Sequence, residues 1–364
     1  MAMTATKTRQ ISVGGVSVGG GAPIRVQSML NVAADDFPAA LAQVEGLVDA
    51  GCEIVRAAIP HADALDTYQA LVESSPIPVV ADIHFDYRLA LEAVKRGAPK
   101  LRINPGNIGS WDRVDAIIEA AGEAAIPIRI GVNAGSLAKD LQARQDLSLA
   151  EKLVESAMEY VRYFNERGFF ATALSVKASS VPVTIEAYRT LSDMSDCPLH
   201  IGVTEAGTAF SGSIKSAVGC GTLLADGIGD TLRVSLTADP REEVKVAWEI
   251  LAALDLRRRN PELISCPTCG RTRVDLIPIA EEVEERLEKL SKAQPETYRH
   301  LKIAVMGCEV NGPGEAREAD FGIACGRGSG IVFAAGKPLG HYTEPELIDA
   351  LFTHIEKASP LSDK

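Results

Sequence analysis

A (β/α)8 barrel of the α/β class, followed by a smaller α+β domain, is predicted by three features of the sequence. A short apolar run followed by an amphipathic run recurs eight times between Ile24 and Leu256. The apolar runs are rich in Val, Ile and Leu without clean alternation, as in strands buried on both faces of a parallel sheet. The texture then changes at Arg257-Arg258-Arg259-Asn260-Pro261, which is charged and ends in a helix breaker. Eight such units in about 250 residues is the size of a closed barrel, and strand–helix alternation implies parallel pairing with right-handed crossovers. An open doubly wound sheet shares this periodicity. The expected domains are residues 1–256 and 257–364.

In chain order, Ile11–Gly20 alternates Val with Gly and reads as a small hairpin over the barrel bottom. The strand-like runs are Ile24–Leu30, Glu53–Ile59, Pro78–His84, Lys100–Asn104, Pro127–Asn133, Ala173–Ala178, Leu199–Thr204 and Thr231–Thr237. Helix-like runs follow them, among them Phe37–Ala50, Tyr87–Arg96, Leu149–Arg167 and Arg241–Leu254. In Tyr87–Arg96, Leu89, Ala90, Ala93 and Val94 share one stripe, with Arg88, Glu92 and Lys95 outside it. No G-x-G-x-x-G follows the first strand, which counts against a dinucleotide site. Beyond Leu256 we expect a strand, a helix over Ala280–Ala293, a strand over Leu301–Met306, short strands at Phe321–Ala324 and Gly330–Ala335, and a last helix from about Glu344 to Lys357.

The formal net charge of -12 argues against a general nucleic-acid surface, while leaving room for a local basic pocket. No apolar run approaches membrane-spanning length, and the first residues carry no apolar core of a signal peptide. Seven cysteines, an odd number, read as reduced thiols in the cytoplasm. Cys52, Cys197 and Cys220 stand in apolar or small-residue surroundings, as buried thiols do.

Cys266-Pro-Thr-Cys269 and the Gly/Pro-rich turn around Cys308 hold three more cysteines. A C-x-x-C turn folds both thiolates to one side. By spacing alone it serves an iron–sulfur cluster, half a zinc site or a redox dithiol. No second short pair completes a zinc site, and the pair lies late in a long chain, unlike a thioredoxin-type dithiol. A cluster tolerates a substituted fourth ligand, for which Glu315 and Cys325 are the local candidates.

The chemistry of a barrel sits where its strands end. The strand-like runs carry Arg25 and Gln27, Arg56, Asp82 and His84, Arg102 and Asn104, Arg129 and Asn133, Lys177, Glu205, and Arg233 with Ser235. Charged residues inside apolar strands are costly unless paired or used. Five arginines and a lysine outnumber the acids and point to a phosphate or diphosphate ligand, whose oxygens match guanidinium forks. Asp82 and Glu205 are the candidates for proton transfer.

Against this background, nine segments resemble one family. They are Pro23–Met29 (PIRVQSM), Ala81–Phe85 (ADIHF), Leu101–Asn107 (LRINPGN), Arg129–Gly135 (RIGVNAG), Ser175–Ser179 (SVKAS), Gly202–Gly207 (GVTEAG), Gly229–Ser235 (GDTLRVS) and the two cysteine motifs. The chain is similar over nearly its whole length to the 4-hydroxy-3-methylbut-2-en-1-yl diphosphate synthases of the methylerythritol phosphate route to isoprenoids, in the short bacterial form. The resemblance implies an oxidoreductase that opens and dehydroxylates 2-C-methyl-D-erythritol 2,4-cyclodiphosphate with two electrons. It implies one 4Fe–4S cluster on Cys266, Cys269, Cys308 and Glu315. It implies diphosphate binding by Arg56, Arg102, Arg129, Lys177, Arg233 and Ser235, with His84, Asn104 and Asn133 also in the substrate site. Glu205 would be the acid–base residue, with Asp82 beside it. A homodimer, in which one subunit's cluster domain closes over the other's barrel, and electron supply from flavodoxin or ferredoxin complete the expectation. Cys325 departs from many relatives. The competing expectation is a non-redox barrel enzyme on a phosphorylated substrate with a structural metal domain.

Overall fold

The computed structural model describes residues 8–308 and 318–358. The chain divides into two compact units, Met1–Arg257 and Arg258–Lys364.

The first unit opens with a hairpin, β1 (Ile11–Val13) antiparallel to β2 (Val16–Val18). Eight parallel strands follow: β3 (Arg25–Met29), β4 (Ile54–Ala58), β5 (Val79–Ile83), β6 (Leu101–Ile103), β7 (Ile128–Asn133), β8 (Thr172–Lys177), β9 (His200–Ile201) and β10 (Thr231–Leu232). Their order is β8-β7-β6-β5-β4-β3-β10-β9, and a bridge between Leu174 and Leu199 joins the two ends of the sheet. The sheet is therefore a closed barrel. Helices fill every crossover, and some are begun by a side-chain cap. Asp36 caps Phe37–Ala50 by accepting from the Ala39 N–H, and Ser148 and Glu151 form a capping box on Leu149–Glu166.

Alternation along the strands sorts the side chains into two shells. Val55, Ala57, Val79, Ala81, Ile83, Leu101, Ile103, Ile128, Ile130, Val132, Leu174, Val176, Leu232 and Val234 belong to the core between sheet and helices. The alternate positions face the lumen, and Arg56, Asp82, Arg102, Arg129, Ser175, Lys177 and His200 are buried there. A barrel interior is ordinarily filled with branched aliphatics. Here only its floor is. Ile54, Val80 and Ala173 pack on Ile11, Val13 and Val18 of the hairpin, which closes the bottom as the Val/Gly alternation predicts.

The expected strands Leu199–Thr204 and Thr231–Thr237 are only two residues long in the ladder. The chain leaves the sheet at Gly202, where a Cβ would stand 2.8 Å from the Lys177 Nζ. Arg25 also departs from the expectation of a common rim. It starts β3, at the floor end, and pairs with Glu53 at 2.8 Å.

The second unit is a mixed five-stranded sheet, β11 (Glu262–Ser265), β12 (Lys302–Met306), β13 (Phe321–Cys325), β14 (Ser329–Ala334) and β15 (Lys337–Thr343), hydrogen-bonded in that order. β11, β12 and β13 run parallel, and β14 and β15 return antiparallel. Helices Leu276–Ala293 and Leu347–Ala358 pack Val283, Leu287, Leu351 and Phe352 against Ile303, Val305 and Ile323. The long helix begins four residues before the expected Ala280, because Pro278 falls in its first turn, where its missing N–H costs nothing. β15 is an edge strand that the sequence reading leaves out. Its Pro338 and Gly340 disguise it, and its burial alternates only weakly.

Candidate functional site

Register brings the lumen residues together. Asp82 lies beside Arg102 across β5 and β6, and Arg102 beside Arg129 across β6 and β7. The Asp82 carboxylate accepts from Arg102 Nη1 at 3.0 Å and meets Arg56 Nε at 3.2 Å and His84 Nε2 at 3.5 Å. Burial alone would raise the Asp82 pKa, but Arg56, His84 and Arg102 hold it well below the usual carboxylate range. Arg129 Nη1 donates to the Ser175 hydroxyl at 2.9 Å, while its buried Nε and Nη2 have no hydrogen-bond partner. Lys177 Nζ lies 3.3 Å from His200 Nε2, and His200 Nδ1 lies 2.8 Å from the Thr231 hydroxyl.

Charge in this chamber does not balance. Arg56, Lys100, Arg102, Arg129 and Lys177 are buried and Arg233 is half-buried, while the buried carboxylates among the described residues are Asp82 and Glu243. Burial and then neighbouring cations push Arg129 and Lys177 well below their ordinary values, and burial brings Arg56 down to about 10. Lys100 falls to about 7 for the same reasons, burial first and then Arg129 and Arg56. Such a chamber favours an anion, which would relieve the mutual repulsion. Gly131 makes room for the Arg102 guanidinium, since a Cβ there would stand 2.7 Å from Arg102 Nε.

Three members were not singled out from the sequence. Glu243, 4% exposed on helix Pro240–Ala253, accepts from Arg233 Nη2 at 3.2 Å, from the Leu236 N–H at 2.9 Å and from the Ser28 hydroxyl at 3.2 Å. It thus ties Arg233 to the barrel wall. Lys100 immediately precedes β6 and His200 starts β9, where polar residues pass for strand ends.

Glu205 stands apart. It is exposed just beyond β9, with φ of 51°. A residue other than glycine in the left-handed region is strained unless its surroundings enforce it, and such strain gathers at functional positions. Asn104 is buried, while Asn133, at the end of β7, and His84 and Ser235, past their strands, are half-buried.

Replacing Asp82 by Asn leaves Arg56 and Arg102 buried without their anion. Thermal or urea unfolding should show a loss of about 3 kcal/mol, the cost of breaking a buried pair. Because the folded pKa is depressed, the contribution of Asp82 is complete above the unfolded value near ~4 and fades as pH falls toward the folded one. The difference between wild type and Asp82→Asn should therefore persist from neutral pH to about pH 5 and shrink below it.

In the second unit, β11 and β12 are parallel neighbours, and Ser265 pairs with Val305. Cys266 and Cys308 follow these strands, so both reach the same end of the sheet. They line one cavity of about 180 Å³ with Cys269, Arg271, Thr272 and Met306. The Gly307 N–H donates to Cys266 Sγ at 3.3 Å. The backbone and side chain of Arg271 lower the Cys269 pKa. Thr268, between the two cysteines, has φ of 52°, an outlier for a β-branched residue. Thiols with N–H donors aimed at them, in a strained turn, suit a group that binds thiolates. Among the described residues, no group of three His, Cys, Asp or Glu could hold a metal ion. Glu315 lies outside the described residues. Cys325 ends β13 in the core, and burial pushes its thiol up to about 12.

Residues 8–248 match the family description "GcpE TIM-barrel domain" and residues 262–357 "GcpE protein C-terminal domain". The chain is 55% identical over 351 residues to the 4-hydroxy-3-methylbut-2-en-1-yl diphosphate synthase (flavodoxin) of Geobacter sulfurreducens, covering 96% of this chain and 98% of that one. It is 51% identical over 354 residues to the protein of the same name from Clostridium acetobutylicum, covering 97% and 99%. Among solved structures, the dihydropteroate synthase of Xanthomonas albilineans superposes with a TM-score of 0.50 at 13% identity, over 68% of this chain and 97% of that one, a likeness of fold alone. Barrel and appended domain are thus matched in order and nearly end to end, and the chain belongs to the GcpE family of 4-hydroxy-3-methylbut-2-en-1-yl diphosphate synthases.

Proposed function

We propose that this chain is the isoprenoid-pathway oxidoreductase that converts 2-C-methyl-D-erythritol 2,4-cyclodiphosphate to 4-hydroxy-3-methylbut-2-enyl diphosphate. Two electrons and two protons enter, the bond between ring carbon and phosphate oxygen opens, and one hydroxyl leaves as water. The observation that carries the reading is the barrel lumen, where buried cations exceed buried carboxylates. The name shared by the relatives supplies the product and, as electron donor, flavodoxin; ferredoxin is the other donor that the resemblance implies.

Arg56, Arg102, Arg129, Lys177 and Arg233, with the Ser235 hydroxyl, hold the two phosphoryl groups by charge-assisted hydrogen bonds. The free Nε and Nη2 of Arg129 form an unused fork for this purpose. Asn104, Asn133 and His84 line the remaining wall. Asp82 stays ionised and serves the reaction by orienting Arg56, Arg102 and His84. The proton at the reacting centre is held and moved at the Glu205 carboxyl, outside the charge-locked network. Cys266, Cys269 and Cys308, with Glu315, would hold one 4Fe–4S cluster. When bound, such a cluster supplies single electrons and a Lewis-acidic iron. Support comes from the three thiols on one cavity, whose lining does not include Cys325. A homodimer and a cytoplasmic location belong to the same reading. No helix among the described residues is long and apolar enough to cross a membrane.

The test is anaerobic conversion of the cyclodiphosphate by purified, iron- and sulfide-loaded protein with reduced flavodoxin. Formation of the linear diphosphate is expected; loaded protein that forms none overturns the reading. Arg129→Ala and Arg233→Ala should each weaken cyclodiphosphate binding by about 2 kcal/mol or more, measured by calorimetry. Unchanged affinity in both removes the lumen from the substrate site.

A further inference from the structure

Lys177, His200 and Thr231 form a row across three neighbouring strands. Lys177 ends β8, while His200 of β9 and Thr231 of β10 are register partners. The Lys177 amine reaches over β9, where Gly202 leaves space for it and His200 Nε2 stands 3.3 Å away. His200 Nδ1 then stands 2.8 Å from the Thr231 hydroxyl. Lys177 is 8% exposed and the other two 1%, so Lys177 is the member that a ligand in the lumen meets.

The heavy atoms of this row admit two arrangements of protons. In the first, the Thr231 hydroxyl donates to Nδ1, and Nε2–H donates to the lone pair of a neutral Lys177 amine. In the second, Nδ1–H donates to the Thr231 oxygen, and Nε2 accepts from a Lys177 ammonium. The second holds one proton more. Both ring nitrogens are satisfied in either, and only hydrogens move between them.

We propose that Thr231, His200 and Lys177 are a proton-accepting relay: one proton enters it with the diphosphate ligand, and His200 and Thr231 are positioning residues that hold Lys177 as an ammonium. The proposal rests on the lumen being the substrate site and says how that site is charged. Burial, then Arg129 and Arg233, holds the empty Lys177 well below its ordinary value, and burial, then Arg129 and Lys177, does the same to His200. A dianion in the lumen reverses that balance, so the filled pair is charged. The proton is not the ligand's own. Each phosphoryl group of a cyclic diphosphate is bridged and esterified, without the second ionisation that a phosphate monoester has near ~6. Ring opening frees one more phosphate oxygen, and an ammonium already in place meets the added charge.

The other groups facing the row keep their states. Arg56 on β4, Arg102 on β6, Arg129 on β7 and Arg233 beyond β10 are guanidinium cations. Asp82 on β5 is ionised and engaged by Arg56, Arg102 and His84. Tyr188, whose hydroxyl donates to the His200 carbonyl, is kept protonated by burial. So is Cys220 on helix Ala209–Ala225, pushed up to about 12. Lys100, brought down to about 7 by burial, is the competitor for the proton.

The test is calorimetry of cyclodiphosphate binding to full-length, iron- and sulfide-loaded protein, without oxygen or reductant, in buffers of differing ionisation enthalpy. Wild type should take up about one proton per ligand. Its affinity should fall about tenfold per pH unit wherever the empty pair is neutral and the filled pair charged. At lower pH the empty pair is already charged, and the slope vanishes. His200→Leu and Thr231→Val should each move the falling limb to lower pH by about one unit, the worth of a hydrogen bond to a charged group. Thr231→Ser, which keeps the hydroxyl, should restore it. A limb unmoved in both His200→Leu and Thr231→Val overturns the relay. Its disappearance in Lys100→Met also overturns the relay and gives the proton to Lys100. Binding without proton uptake from about pH 6 to about pH 9 overturns the relay and leaves the substrate site standing; no binding at all overturns both.

Discussion

Cys308→Ser protein, purified without oxygen, should contain little iron or sulfide and have no measurable conversion of the cyclodiphosphate. The same is expected of Cys266→Ser. The two residues follow adjacent parallel strands into one cavity, so neither loss is made good by a neighbour. Cys325→Ser should keep both iron and turnover, because Cys325 ends β13 in the core and is not among the residues lining the cavity of Cys266, Cys269 and Cys308. Glu315→Ala should assemble a more labile cluster and lose nearly all activity, since a carboxylate is the harder and more exchangeable ligand for iron. Iron and sulfide content with visible absorbance separates the outcomes. Iron lost from Cys325→Ser, with normal turnover in Glu315→Ala, would falsify the ligand set and leave a four-cysteine cluster.

Glu205 offers a test in which stability and activity part company. Its φ of 51° suits glycine better than glutamate. Glu205→Gly should therefore keep the melting temperature or raise it, with a gain of up to about 1 kcal/mol. Turnover should fall by roughly 10² or more, as it should in Glu205→Gln, while the cyclodiphosphate still binds. A strand-tying role would reverse the pattern, with stability lost and turnover kept.

Much of this was legible beforehand, for identifiable reasons. β4 to β8 are runs of Val, Ile and Leu punctuated by single lumen residues, and a buried charge in such a run stands out. β9 and β10 read too long, because apolarity continues past Gly202 and Leu232 although the ladder does not. Glu243 was invisible because it follows Glu242 on a helix whose charges mostly face solvent; only tertiary packing turns it toward Arg233. Arg25 misled for the opposite reason. A strand residue does not announce which end of the barrel it lies at, and Arg25 belongs to the floor, with Glu53.

The cation-filled lumen has a consequence for the life of the protein in a cell. A barrel normally draws its stability from an aliphatic interior; this one keeps self-repelling guanidinium groups there. A dianionic substrate that neutralises them stabilises the folded chain by mass action, by about 2.7 kcal/mol at a concentration a hundredfold above Kd. Resistance to proteolysis then follows the supply of substrate, and the enzyme persists longest where its pathway is running.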